Sequence, residues 1–404
     1  MEANPGTRHS IGFSIVSAHL RRVAVEWSSV RGQFELPDDL VYLNNGSFGP
    51  SPKVVLDAAT AYLRQVDANP GEMLSVYRGK VQETKTRLGA YAGMAEDDFV
   101  FITNVTVGMN MVSRGLRNLG EGDELLTTNL EYGAVDNAWE FAARHKGFEI
   151  RRVEIPSPPD DAEQIVSLIR AGFTKRTRVL SFSHISTKTG LIFPVAEICA
   201  AARERGIVTV VDGAHAPGMI PLDVSSLGCD FYAGNCHKWL CAPKGTAFLW
   251  SHDAAQALLD PFIVGWGWER DNETYLGNFE NPGTHCLALP AAVAHAIGYQ
   301  ESIGRDVIAA RGRELASYGR AVIGSIPGTR ILTPDNPALA NSLTAFALPL
   351  IDQERLAAEL ATRRIVIPNG PREDHTWLRL SSHVYNMPWE IDLLAEAIGA
   401  AIAG

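Results

Sequence analysis

Val208-Thr209-Val210-Val211-Asp212-Gly213-Ala214-His215 is an apolar, β-branched run that ends in a carboxylate and a glycine. Such a run reads as a buried strand that delivers Asp212 to a turn at its carboxyl end. Upstream, Phe99–Thr103, Glu124–Thr128, Glu149–Ile155 and Val179–Ile185 read as further strands, and Thr246–Trp250 follows downstream. Helical stretches such as Val135–His145 and Val195–Arg205 lie between them. Apolar strands alternating with helices predict an α/β fold with a mainly parallel sheet flanked by helices on both faces. After Thr284, the long helix expected over Leu287–Ile303 and strands near Leu343–Leu348 and Leu378–Ser381 predict a smaller α+β C-terminal domain. The expected division is an N-terminal arm over 1–40, a large domain over 41–285 and a small domain over 286–404.

Ligands of open α/β sheets lie outside the carboxyl ends of the strands. Asp212 ends one expected strand there, Thr103 and Asn104 end another, and His184 ends a third. Beyond Asp212 comes Gly234-Asn235-Cys236-His237-Lys238-Trp239, a lysine among polar and small residues on a later loop. Either half alone is ordinary, since a Val-rich run often ends in an Asp-Gly turn and a His-Lys pair is often solvated. In this order the two halves suit pyridoxal 5′-phosphate (PLP). A fixed Asp keeps the cofactor's ring nitrogen protonated, and a lysine of lowered pKa forms an imine with its aldehyde. Asp212 and Lys238 are the candidates.

Composition bounds the partners. The 404 residues are 46% hydrophobic and 20% charged, enough for a large core. Thirty-six basic against 46 acidic residues give a net charge of −10, with no basic run to track a nucleic-acid backbone. Five cysteines, Cys199, Cys229, Cys236, Cys241 and Cys286, are an odd number in a long chain and argue for a reducing compartment. Arg21–Arg22 is followed by Val-Ala-Val and then Glu26, so no apolar export segment forms there. Cys286 to Tyr299 is too short to span a bilayer. The expectation is a cytoplasmic protein that binds neither membrane nor nucleic acid. Cys236, His237 and Cys241 are zinc-type ligands but lack a matching second pair, so no metal is expected.

The segment from Val211 to Trp250, VDGAHAPGMIPLDVSSLGCDFYAGNCHKWLCAPKGTAFLW, resembles the class V aminotransferase-fold enzymes, and within them the isopenicillin N epimerase-like group. The likeness runs from about Tyr42 to the C-terminus. It implies fold type I of the PLP-dependent transferases and a homodimer with shared active sites. Phe101-Ile102-Thr103-Asn104-Val105-Thr106-Val107-Gly108 is a strand-to-helix turn suited to an anion, or else an ordinary N-cap by Asn104 or Thr103. By resemblance it cradles the phosphate through Val105 and Thr106. Tyr132 is carried over as the ring-stacking residue, with His184, Thr187 and His215 near the ring. Asn235 and His237 are carried over as phosphate contacts beside Lys238, and Thr284 as a contact to the neighbouring subunit's phosphate. Arg379, in Leu378-Arg379-Leu380-Ser381, is implied to anchor the substrate carboxylate by two parallel hydrogen bonds. Asn45, in Asn44-Asn45-Gly46-Ser47-Phe48-Gly49, approaches the substrate in relatives. Lys188 and Lys244 compete with Lys238 and lack its surroundings. Side-chain recognition is expected from the N-terminal arm, Asp67–Tyr77 and the Val264–Tyr275 loop with Trp266 and Trp268.

PLP weakens every bond at the α-carbon, so these motifs define the cofactor better than the outcome. The resemblance implies epimerisation of an amino acid or a derivative of one, with Lys238 taking the α-proton and Tyr132 or a nearby histidine serving the opposite face. A β-lyase or C–S lyase, an aminotransferase and a non-catalytic PLP-fold binding protein are the alternatives. Cysteine desulfurases of the family carry a nucleophilic cysteine shortly before the arginine strand. Here that region reads Asn369-Gly370-Pro371-Arg372-Glu373-Asp374-His375, without a cysteine.

Overall fold

Along Val208–Asp212 the side chains alternate between two hydrophobic layers, and this alternation organises the molecule. The computed structural model describes residues 25–265, 268, 275–280 and 282–403, with the backbone alone at 73–76. Its strands in chain order are β1 Val41–Tyr42, β2 Phe99–Ile102, β3 Glu124–Thr128, β4 Glu149–Val153, β5 Thr177–Ser183, β6 Val208–Asp212 and β7 Phe231–Asn235. They continue with β8 Ala247–Ser251, β9 Arg330–Ile331, β10 Leu343–Leu348, β11 Ile365–Val366, β12 Asn369–Pro371 and β13 Thr376–Ser381.

Seven of these form one sheet in the order β2-β8-β7-β6-β5-β3-β4. The strands from β7 across to β4 run parallel, and β8 is antiparallel to both its neighbours. One face buries Val179, Val208, Val210 and Phe231 with Val105, Met109 and Val112 of helix Val105–Gly115 and Trp139 of helix Gly133–Lys146. The other buries Leu180, Phe182, Val211, Tyr232 and Phe248 with Ile165, Ile169 and Ile198 of helices Ala162–Gly172 and Val195–Arg203. β7 is a strand that the sequence pattern does not announce. Gly234 interrupts its β-formers, and it is buried on both faces between β6 and β8.

The second sheet, β12-β13-β10-β9, is antiparallel. Its core of Phe346, Leu348, Leu378 and Leu380 packs with Leu356, Ile391, Leu394 and Ile398, and also with Val41 and Leu43. β1 pairs in parallel with β11, and the chain beyond it runs along β13: Ser381 N donates to Leu43 O and Asn45 N to Ser381 O, both at 3.0 Å. The turn after β1 is thereby held beside Arg379. Within the expected arm, Trp27–Arg31 is a short helix whose Arg31 donates to Leu40 O at 2.9 Å and Glu390 at 3.2 Å; residues 1–24 lie outside the described residues. No described helix is long and apolar enough to cross a membrane.

Candidate active site

Asp212 and Lys238 meet at the carboxyl ends of β6 and β7. Asp212 is buried, with Oδ1 accepting the Ala214 N–H at 2.9 Å. Burial raises its pKa, against the opposing pull of that bond and of Lys238. Lys238 follows β7 and has its pKa lowered to about 8, chiefly by burial, with Asp212 opposing and the Arg379 charge assisting. Its Nζ lies 3.3 Å from His215 Nε2. The other ring nitrogen of His215 accepts the indole N–H of Trp239 at 3.1 Å. His215 is buried, and burial, then the Lys238 and Arg379 charges, hold its pKa well below the ordinary histidine value.

Arg379, on β13, completes the cluster. One guanidinium nitrogen, Nη1, donates to Thr187 Oγ1, and Nη2 donates to Ser47 Oγ at 2.8 Å and Asn44 Oδ1 at 3.3 Å. Nε is buried without a partner, and no acidic side chain forms an ion pair with Arg379 among the described residues. Burial lowers its pKa to about 10. Gly46 is required here, because a Cβ on it would lie 2.9 Å from Ser381 Oγ, 3.3 Å from Arg379 Nη2 and 3.4 Å from His215 Cε1. At Gly49 a Cβ would come within 2.0 Å of Lys238 O. The two glycines let the N-terminal turn close over the lysine loop. Asn45 is buried, with Oδ1 accepting from Tyr385 at 3.0 Å and Nδ2 unpartnered.

The turn after β2 carries out the capping alternative as well. Asn104 Oδ1 accepts the Val107 N–H at 3.0 Å. Val105 N–H is taken by Asn235 Oδ1 at 3.0 Å, which corrects its assignment as a free phosphate donor and makes Asn235 the brace between turn and lysine loop. Thr106 stands at a position for which a helix supplies no internal acceptor. His237 Nδ1 donates to Thr246 O at 2.9 Å, so its neutral ring presents Nε2 as an acceptor and would serve an anion only when protonated. Tyr132 opens helix Gly133–Lys146 and is 49% exposed, at the mouth of the cluster and within electrostatic reach of Arg379.

His184 is a further correction. Ser183 pairs with Asp212 in the β5–β6 ladder, so the next residue points through the sheet, and His184 Nδ1 bonds Tyr232 Oη at 2.8 Å on the far face. The structure does not bring it to the ring side. Thr284 is exposed on the surface. Lys188 donates to Asn129 O at 2.8 Å, and Lys244 is exposed. Tyr77 turns inward on Tyr62 O at 3.0 Å and Gln65 at 3.1 Å. Trp268 is exposed, and Trp266 lies outside the described residues. No group of three metal-ligating side chains occurs among the described residues. Residues beyond the sequence reading are Ser47, Trp239 as a hydrogen-bond donor, and Glu131. Glu131 is buried and accepts from Thr128 Oγ1 at 2.6 Å and Ser183 Oγ at 2.7 Å.

The family model for class V aminotransferases matches residues 41–394. This chain belongs to the class V aminotransferases. It is 37% identical to an isopenicillin N epimerase of Amycolatopsis lactamdurans, over 93% of this chain and 98% of that one. It is 35% identical to the isopenicillin N epimerase of Streptomyces clavuligerus, with the same coverage. Among solved structures, cysteine desulfurase CsdA from Escherichia coli superposes with a TM-score of 0.82 at 22% identity, over 94% of this chain and 99% of that one, a likeness of fold. Class V aminotransferases use pyridoxal 5′-phosphate, and the residues present fit it. A buried carboxylate, a lysine of lowered pKa, a capped helix N-terminus and a buried guanidinium lacking a counterion converge at one end of this class V aminotransferase sheet.

Proposed function

We propose that the protein epimerises an amino acid or an amino-acid-derived substrate, with Lys238 taking and returning the proton at the α-carbon. The observation that carries this reading is Arg379. A buried guanidinium without an acidic partner among the described residues, with an unpartnered Nε, is a site prepared for a carboxylate that arrives from outside. Its neighbours Thr187, Ser47 and Asn44 fix the plane of the guanidinium.

The bound cofactor withdraws electrons from the α-carbon and so weakens its bonds. With the cofactor bound, Asp212 would hold its ring nitrogen and Lys238 its aldehyde group, while Thr106, Asn235 and, when protonated, His237 would hold the phosphate. Arg379 holds the substrate carboxylate so that the α-proton lies against Lys238. The low pKa of Lys238 keeps a useful share of it as free base near neutral pH. Inversion needs a second donor on the opposite face, and Tyr132 at the exposed mouth takes that role. His215 does not, because its ring stays neutral and its nitrogens are engaged by Trp239 and Lys238.

Identity to two isopenicillin N epimerases over nearly their whole length supports epimerisation over the other outcomes. Against desulfurase chemistry, residues 369–375 hold no cysteine and the last cysteine in the chain is Cys286. We read the protein as a homodimer in which Thr284 serves the partner's site. Exposed Phe262, Ile263, Val264 and Trp268 support that assembly.

The test is incubation of the loaded enzyme in D2O with a panel of L- and D-amino acids and peptides. Solvent deuterium entering the α-position with loss of optical rotation and no new product is expected, and Lys238→Ala abolishes both. Release of keto acid and ammonia, or amino transfer to an added keto acid, would replace epimerisation by elimination or transamination.

A further inference from the structure

Trp239 is the residue after the lysine, and its buried indole makes one side-chain hydrogen bond, to His215 Nδ1 at 3.1 Å. An indole N–H can only donate, so Nδ1 of His215 is an acceptor and carries no proton. In the neutral ring the proton then sits on Nε2, which is the nitrogen 3.3 Å from Lys238 Nζ. An ammonium there would set donor against donor, whereas a free amine accepts the Nε2 proton. We propose that Trp239 is a positioning residue that locks His215 in its Nε2–H tautomer and thereby favours the free amine of Lys238 over its ammonium.

Several contacts fix the indole itself. It stacks on His383 with ring centroids 5.8 Å apart at 29°. Its backbone carbonyl accepts from His383 Nε2 at 3.0 Å and Gln300 Nε2 at 2.5 Å. The carbonyl bonds set the backbone of the lysine loop, and the stack sets the direction of the N–H. Burial opposes a second proton on the His215 ring, and so do the charges of Lys238, in its protonated fraction, and of Arg379 among the described residues. The proposal rests on Lys238 as the cofactor lysine only for its consequence. The tautomer itself can be read without that assignment.

The experiment is ring-15N NMR of the full chain labelled at histidine, with His215→Gln used to assign the resonance, in the unloaded protein between about pH 6 and 9. The expected result is a protonated Nε2 and an unprotonated Nδ1 throughout, and a mixture of tautomers in Trp239→Phe. The rate of cofactor loading is the second readout. In Trp239→Phe it should fall about tenfold at pH 7 and remain unchanged above pH 10, as for an amine whose pKa has risen by about one unit. A proton on Nδ1 in the unmodified protein would overturn the proposal with no variant needed. So would a Trp239→Phe protein with an unmoved tautomer, or with loading slowed equally at every pH. Borohydride trapping and peptide mapping report separately whether Lys238 is the loaded residue.

Discussion

Ser183 Oγ donates to Glu131 Oε2 at 2.7 Å from the rung of the β5–β6 ladder on which Ser183 pairs with Asp212. A second carboxyl group therefore lies buried close to Asp212. Burial pushes Glu131 up to about 7, although the hydroxyls of Thr128 and Ser183 favour its charged form. Asp212 contributes to the rise as well. Glu131 thus keeps a proton where an ordinary carboxyl has lost it, and limits the negative charge beside Asp212.

The consequence is a pH-dependent cost. Between about pH 4.5 and 7 the folded chain binds a proton that the unfolded chain has released, so stability falls as pH rises through this window. The cost is complete above about 7 and is on the order of 3 kcal/mol. Glu131→Gln keeps the shape and removes the titration. Melting curves at pH 5 and 7.5 should show the variant gaining stability relative to the parent as pH rises. Parallel pH dependence would mean that Glu131 is already charged in the fold.

Lys238 should load its cofactor with the pH profile of a perturbed amine. Its pKa near 8, against 10.5 for an ordinary lysine, follows mainly from burial. The rate at which the visible absorbance band forms on adding cofactor should climb through about pH 8 and level off above 9. A rate still climbing at pH 10 would show that the amine is solvated in the unloaded protein.

Asp212 opposes that perturbation, since its charge raises the pKa of Lys238. Asp212→Asn keeps an oxygen for the Ala214 N–H and removes the charge. The loading profile should move to lower pH than in the parent. Turnover should fall by about 100-fold or more, because on the proposed function the electron sink would lose the carboxylate that keeps its ring nitrogen protonated. An unmoved loading profile combined with full turnover would place another acid in that role.

The parts of the site legible in the sequence are those that strand ends announce. Asp212 follows from a β-branched run and the rule that ligands lie beyond carboxyl ends, whereas Lys238 is marked by the polar and small residues around it. β7 was not legible, because Phe231-Tyr232-Ala233-Gly234-Asn235 owes its strand to burial between two neighbours. For His184 the alternation along β5 carries the signal against a place on the ring side. Residues 183 and 184 must face opposite ways on one strand, and Ser183 shares the face of Asp212. Glu131 has no such signal, because a Glu before a helix normally stabilises its N-terminus from the surface. The Trp239–His215 bond joins residues on different loops, and its geometry depends on a stack with His383 from the C-terminal part of the chain.

Arg379 separates function from stability. A buried guanidinium whose described partners are all neutral oxygens has lost hydration without gaining a counterion, so it costs stability in the unliganded chain. On the proposed function, a substrate carboxylate would supply the missing charge and reach the unpartnered Nε. Arg379→Met retains length and apolar volume and removes both effects. The unliganded variant should melt no lower than the parent, because the relieved desolvation offsets four lost hydrogen bonds, three of them to side chains that can reorient and one, at 3.4 Å, to Thr187 O. Its kcat/KM for an α-amino acid should fall by about 30- to 1,000-fold, the equivalent of roughly 2–4 kcal/mol for a charged group left without its partner. The same substitution should leave exchange of the corresponding amine, which lacks the carboxylate, within a fewfold of the parent. Calorimetry and deuterium exchange on the acid and the amine test the two halves separately. A large loss of melting temperature would make Arg379 a structural residue, and an equal loss on both substrates would remove it from the carboxylate.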